Sequence, residues 1–205
     1  MPRSRAQVPV RCSAGTAGGT NSTRLYTRTG DRGETGLAGG SRIGKDSSRI
    51  ETFGAFDELG SALGVARAHL PSNSSDVQQL LLRLQHELFI AQSEVASPPT
   101  AKPPAHRIEQ RHVTALEQEI DRWTAALDPL HAFVLPGGSL AGSHLHVART
   151  AARRAERALW AFHRESPQRA ELLMWTNRLS DLLFAVALAQ NRAEGVTEVS
   201  PDYSL

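Results

Sequence analysis

The stretch SDVQQLLLRLQHELFIAQSEV, residues 75–95, places Val77, Leu81, Leu84, Leu88, Ala91 and Val95 at spacings of 4, 3, 4, 3 and 4. That alternation keeps one apolar stripe on one side of a 3.6-residue helix, so it predicts a helix that faces other helices. The same rhythm recurs on both flanks. Phe56, Leu59, Leu63 and Ala66 define an earlier helix ended by Pro71, and Val113, Leu116, Ile120, Trp123 and Leu127 define a later one closed by Pro129. Between the second and third helices, SPPTAKPPAHR (97–107) carries four prolines and reads as a connector. After a hinge at Pro136, Gly137 and Gly138, Ser139 is expected to cap a fourth helix running to about Arg164. Ser166 and Pro167 are expected to start a fifth that fades near Gly195. Ala148, Ala151, Ala155 and Ala158 give the fourth helix a small-residue face for close packing. The predicted fold is all-α: a five-helix up-and-down bundle of the ferritin-like type, with no strand longer than a few residues and no internal repeat.

Composition sets the outer bounds. The 205 residues are 40% hydrophobic and 21% charged, enough to bury one core in one domain. The longest unbroken apolar run, Leu182 to Ala189, falls far short of the roughly 20 residues of a membrane span, so a soluble chain is expected. A single cysteine, Cys12, excludes an intrachain disulfide framework, a zinc ribbon or a CxxC redox motif. Residues 1–23 hold three arginines and no acid, so of the total charge of +2 the rest of the chain keeps −1. A near-neutral body does not indicate a polyanion surface, and no nucleic-acid or membrane partner is expected. The chain divides into a flexible tail (1–23), a helical-bundle domain (24–195) with an ordered Gly/Thr-rich loop at its start, and a C-terminal tail (196–205). A cytoplasmic location is the default; a mitochondrial one follows only if the Arg-rich N-terminus is a transit peptide.

Three groups of residues carry candidate chemistry. The loop TRTGDRGETG (27–36) combines glycines that free the backbone with hydroxyls of Thr27, Thr29 and Thr35, as an anion cradle requires. It is not a Walker A sequence, and the alternative is a surface turn. On the fourth helix Arg149, Arg153, Glu156 and Arg157 fall at i, i+4, i+7 and i+8, within about 12 Å along one face. Paired guanidiniums suit a polyphosphate, and Glu156 can order one of them or bind a divalent ion; the alternative is a solvated Arg/Glu face. In WTNRLSD (175–181), Asn177 and Asp181 lie one turn apart, and an amide within an apolar run needs a hydrogen-bond partner; the alternative is a buried amide or carboxylate that only fixes helix register. Asp57 offers a carboxylate to an arginine of another helix or subunit, or is simply a first-turn helix acid. His144 and His146 diverge by about 200° at i, i+2 on a helix, so they cannot chelate one ion and read as surface or packing residues.

Taken together, TRTGDRGETGLAGGSRIGKDSSRIETFGAFDELGSALG, FVLPGGSLAGSHLHVARTAARRAER and TNRLSDLLFAVA resemble the PduO-type ATP:corrinoid adenosyltransferases, over residues 25 to about 192. The resemblance implies a trimeric five-helix bundle with active sites between subunits. It also implies transfer of the 5′-deoxyadenosyl group of MgATP to the cobalt of cob(I)alamin, releasing triphosphate. The residue types fit that chemistry, because a Co(I) nucleophile held in the corrin leaves the protein to bind, orient and exclude water.

By that resemblance, Thr27, Arg28, Thr29, Gly30, Asp31, Gly33 and Thr35, with Arg42 and Lys45, wrap the nucleotide and its triphosphate. Arg153 contacts phosphate with Arg157 beside it, Glu156 holds magnesium or nucleotide, and Asn177 reaches the ATP. Asp57 and Arg149 match positions that pair across the subunit interface on the corrinoid side. Phe133 matches the aromatic on the lower corrin face, which favours four-coordinate cob(II)alamin by excluding the dimethylbenzimidazole base; without the resemblance it reads as a core residue beside a turn. Gly60 and the Ala55-Phe56 pair depart from the pattern. A reductase and an adenosylcobalamin-dependent enzyme are the implied partners.

Two other classes explain the arginines: a helical-bundle phosphotransferase or hydrolase using the same Arg face, and an Arg-rich helical interaction module. The first lacks paired acidic motifs for several magnesium ions. The second predicts salt-sensitive nucleic-acid binding, at odds with the near-neutral body.

Overall fold

The computed structural model describes residues 26–129 and 132–204, so the expected tail over 1–23 lies outside the described residues. Five helices alternate in direction: α1 (Ser48–Ala68), α2 (Ser75–Val95), α3 (Gln110–Thr124), α4 (Leu140–Glu165) and α5 (Ala170–Ala193). Each predicted stripe supplies the core. Phe56, Leu59 and Leu63 of α1 and Leu81, Leu84 and Leu88 of α2 are all but fully buried, with Leu145 and Leu159 of α4 and Leu172, Trp175 and Leu179 of α5. Each such side chain contributes about 1.5–3 kcal/mol on burial. Ala148, Ala152 and Ala155 are fully buried, so α4 lies close against its neighbours and forms the spine between α1 and α5.

Local signals set the ends. Ser139 Oγ accepts from the Gly142 N–H at 3.0 Å and starts α4, as its position predicts. The α3 helix stops at Thr124, so Leu127 lies beyond it, in a short turn before Pro129. Ser166 closes α4 instead of opening α5: its N–H still bonds Phe162 O, and Pro167 has no N–H to continue the ladder. The α5 helix begins only at Ala170, after Arg169, whose guanidinium donates to Glu94 and to Ile108 O.

Two buried charged side chains are hydrogen-bonded to neutral groups. Glu87 on α2 accepts from Trp175 Nε1 at 2.8 Å, and Arg49 donates to Val95 O at 2.6 Å while covering the Phe162 ring. The α5 helix is long and apolar enough by length and composition to cross a membrane, although its longest unbroken apolar run is short; 61% of its most apolar window is buried inside the bundle, which makes it the core helix.

The Gly/Thr-rich loop is a small antiparallel hairpin, β1 (Glu34–Gly36) with β2 (Arg42–Gly44), in which Thr35 faces Ile43. Its Ala38 N–H donates to Ala96 O, just past α2. Ser48 bonds Glu165, so this end of the bundle gathers the start of α1 and the ends of α2 and α4. The opposite end holds the α3–α4 loop and residues 196–204. These last residues, read from sequence as a tail, fold back: Val196 N–H donates to Asn191 O at 2.9 Å, and Leu135 N–H to Val199 O at 2.7 Å.

Candidate active site

Arg149 and Arg153 line a cavity of about 760 Å³ between α4 and α5, within the size range of cofactor and ligand sites. Its apolar walls are Phe133, Val134 and Pro136 from the α3–α4 loop, Phe184 from α5, and Pro201 and Tyr203 from the C-terminal segment. His146, Ser180 and Asp181 add polar groups. A broad apolar surface edged by two cations suits a large flat ligand lying beside an anion.

Position along α4 decides what each arginine does. Arg149 is half-buried over the Phe184 ring at 5.9 Å, and burial, followed by repulsion from Arg153, lowers its pKa. Its Nε is buried without a hydrogen-bond partner. Arg153, one turn on, is exposed, and Arg157 donates to the Arg153 carbonyl at 3.1 Å. Both Arg153 and Arg157 therefore present cations to solvent. His146, only 3% exposed where it borders the cavity, has both ring nitrogens unpartnered and lies 6.1 Å from Phe184; burial and then Arg149 lower its pKa. His144 stacks on His69 at 4.6 Å. The two histidines diverge as their spacing requires.

A relay crosses three helices beside the arginines. Glu117 on α3 accepts from Arg178 at 3.2 Å, Arg178 donates to Asn177 Oδ1 at 2.7 Å, and Asn177 Nδ2 donates to Glu156 Oε1 at 2.8 Å. The Arg178 donor fixes which way the amide points. Asn177 thus finds the partner its apolar setting demanded, in the very carboxylate singled out on α4.

The hairpin holds itself in shape. Arg42 donates to Thr29 O at 2.7 Å and to Glu34 Oε2 at 3.1 Å, so in this state it closes the loop instead of standing free for phosphate. The Thr27 and Thr29 hydroxyls bond each other at 2.9 Å. Lys45 lies across Gly30, where a Cβ would come within 3.2 Å of Nζ. Gly33 has φ +80 and Arg28 φ +59, which turns the backbone sharply on both sides of Asp31.

The single chain does not bring all the predicted residues together. Outside itself the hairpin bonds the end of α2, through Ala38 N–H to Ala96 O, at the other end of the bundle from Phe133. Asp57 is exposed beside a shallow groove shared by Gly60, Gln85 and Phe89, between α1 and α2, away from Arg149; its neighbour Glu58 pairs with Arg154. Phe133 is 81% exposed, so it is not the core residue its sequence setting suggests. Sequence reasoning missed Phe184, Pro201 and Tyr203. Phe184 carried a signal, lying seven residues after Asn177 on one helix face; Pro201 and Tyr203 carried none.

The family model for cobalamin adenosyltransferase matches residues 25–190. The chain belongs to that family. A corrinoid adenosyltransferase of Bacillus subtilis (strain 168) is 42% identical over 183 residues, spanning 88% of this chain and 93% of its own length. One from Citrobacter freundii is 44% identical over 180 residues, spanning 87% of this chain and 97% of its own. Among solved structures, a phenylalanine-to-alanine variant PduO-type ATP:corrinoid adenosyltransferase from Lactobacillus reuteri, complexed with cobalamin and ATP, superposes with a TM-score of 0.82 at 32% identity. It covers 87% of this chain and 99% of that one. The cobalamin adenosyltransferase bundle is therefore the fold of this chain, and its resemblance on three motifs extends over the whole helical domain.

Proposed function

We propose that this member of the family joins the 5′-deoxyadenosyl group of ATP to the cobalt of cob(I)alamin. The observation that carries the reading is the cavity of about 760 Å³ in which the apolar walls meet the Arg149–Arg153 edge of α4. In the reaction the Co(I) electron pair forms the bond to C5′ of the ribose, the C5′–O bond breaks, and triphosphate departs with its electrons. The substrate's own metal is the nucleophile, so the chain needs no Ser or Cys nucleophile.

The side chains then divide the remaining work. Arg153, with Arg157 beside it, stabilises the negative charge gathering on the leaving triphosphate, where a fixed donor acts most strongly. Asn177, oriented by Arg178, offers its second N–H to the nucleotide, and Glu156 keeps one oxygen for magnesium or nucleotide. Thr27, Arg28, Thr29, Gly30, Asp31, Gly33, Thr35, Arg42 and Lys45 form the flap over the triphosphate, Arg42 exchanging its Thr29 contact for a phosphate oxygen. Phe133 covers the lower corrin face and keeps the dimethylbenzimidazole base away, which makes cob(II)alamin easier to reduce.

The distance of the hairpin and of Asp57 from Arg149 within one chain supports a homotrimer. There a neighbouring copy brings its hairpin and its Asp57 to the cavity, and Asp57 relieves the half-buried charge of Arg149. A reductase that delivers one electron to cob(II)alamin precedes the step, and an adenosylcobalamin-dependent enzyme follows it. The bacterial relatives support a cytoplasmic setting and lend nothing to organelle targeting.

The deciding experiment is an anaerobic absorbance assay in which cobalamin is reduced chemically to Co(I) and mixed with the protein and MgATP. ATP-dependent loss of the Co(I) band, with formation of a light-sensitive alkylcobalamin, is the expected result. No product from folded protein that binds ATP would overturn the reading.

A further inference from the structure

Asn191, in the last turn of α5, is fully buried, and its amide ties two separate segments of the chain to that helix. Oδ1 accepts from the Ser139 N–H at 3.0 Å, and Nδ2 donates to Gly137 O and to Glu198 Oε1, each at 2.9 Å. Its own carbonyl accepts from Val196 N–H at 2.9 Å. The backbone bond from Leu135 to Val199 then stitches the two segments directly. One segment carries Phe133, Val134 and Pro136, and the other carries Pro201 and Tyr203; these are the facing walls of the cavity.

The glycines nearby leave Asn191 no freedom. Gly138 has φ +113, and a Cβ there would fall 2.2 Å from Asn191 Nδ2; at Gly142 it would fall 1.9 Å from Oδ1. The Pro-Gly-Gly stretch read from sequence as a hinge is therefore a fixed turn, closed around one amide. Phe133 and Tyr203 are 81% and 83% exposed, so their own burial does not hold them in place. The anchored backbone next to them runs from Leu135 to Ser139 after Phe133 and from Val196 to Val199 before Tyr203, and both stretches are tied to Asn191.

We infer that Asn191 is a positioning residue that sets the separation of the two cavity walls, and through it the affinity for the corrinoid, without acting on the nucleotide. The inference rests on the reading that the cavity takes the corrinoid. It assigns to α5 two tasks at different heights: Asn177 in mid-helix for the nucleotide, Asn191 at the end for the corrin walls.

The test is Asn191→Asp, which keeps the acceptor for Ser139 but removes both donations and sets a carboxylate against Glu198. The expected result is a KM for cob(I)alamin raised about tenfold, a KM for ATP within about twofold of the parent, and faster hydrogen exchange of the 132–139 and 196–204 amides. Adding Glu198→Gln restores most of the corrinoid KM, because a glutamine amide can donate to the new carboxylate. Three outcomes would overturn the inference: an unchanged corrinoid KM in folded Asn191→Asp, a parallel rise of both KM values with lowered thermal stability, or no recovery in the double variant. If the parent protein neither binds nor alkylates cobalamin, the corrinoid reading has failed instead. The exchange measurement then still reports whether Asn191 holds the two segments, and unchanged exchange in Asn191→Asp would overturn that part as well.

Discussion

Asn177 on α5 donates to Glu156 on α4 at 2.8 Å, and because Arg178 occupies its Oδ1 the amide has only one orientation available. This places a spare N–H and a spare carboxylate oxygen side by side, three residues along α4 from Arg153. An exchange of Glu156 for alanine leaves Asn177 Nδ2 without its partner and removes the acidic group proposed for magnesium. Glu156→Ala is expected to weaken ATP binding at least tenfold by calorimetry and to abolish any magnesium dependence of that binding, while circular dichroism stays unchanged.

Arg153 is exposed, and its side chain bonds no other among the described residues, so its removal costs the fold little. Arg153→Ala is expected to lower the rate of adenosylcobalamin formation by roughly 10²–10³, the range for loss of one fixed donor to developing negative charge. Its Tm is expected to match the parent. A rate within about threefold of the parent in the anaerobic assay would remove Arg153 from the triphosphate.

Phe133 gives a sharper separation. With 81% of its surface exposed, Phe133→Ala leaves stability and ATP binding in place. Turnover is expected to disappear when cob(II)alamin is supplied with a weak reductant, and to persist when Co(I) is generated chemically beforehand. Equal loss under both conditions would assign Phe133 to simple corrinoid binding.

His146 sets a pH dependence of stability. Burial lowers its pKa below the ordinary 6.5, with Arg149 adding to the effect. Below that value the unfolded chain takes up a proton that the folded chain refuses, so stability falls as pH drops below about 6.5 and is flat above it for this group. The Tm followed by circular dichroism from about pH 8 to pH 5.5 is expected to fall less steeply in His146→Gln than in the parent.

In the core, Leu84 of α2 is fully buried among the helices. Leu84→Ala is expected to cost about 2–5 kcal/mol in urea unfolding with an unchanged m-value, because the lost methyl groups leave a cavity that the packed helices cannot close.

Five helices, their order and their buried faces follow from the sequence because a 3.6-residue rhythm is a local property: Leu81, Leu84 and Leu88 announce their shared face whatever packs against it. Arg149, Arg153 and Glu156 could be grouped for the same reason, since one helix fixes their spacing. The Ser139 cap was equally legible, because its hydrogen bond to Gly142 spans only three residues. Ser166 misled, for a serine before a proline reads equally well as a start or a stop, and only the bond to Phe162 O selects the stop. Long-range contact decided the rest. Asn177 declared that it needed a partner, but Glu156 lies 21 positions away and is reached only through the packing of α4 on α5. Tyr203 entered the cavity wall through Asn191, Glu198 and the Leu135–Val199 bond, which join segments whose local sequence carries no apolar period. Periodicity determined the helices; where two segments meet across the chain was set by hydrogen bonds and steric fit that no single window of sequence contains.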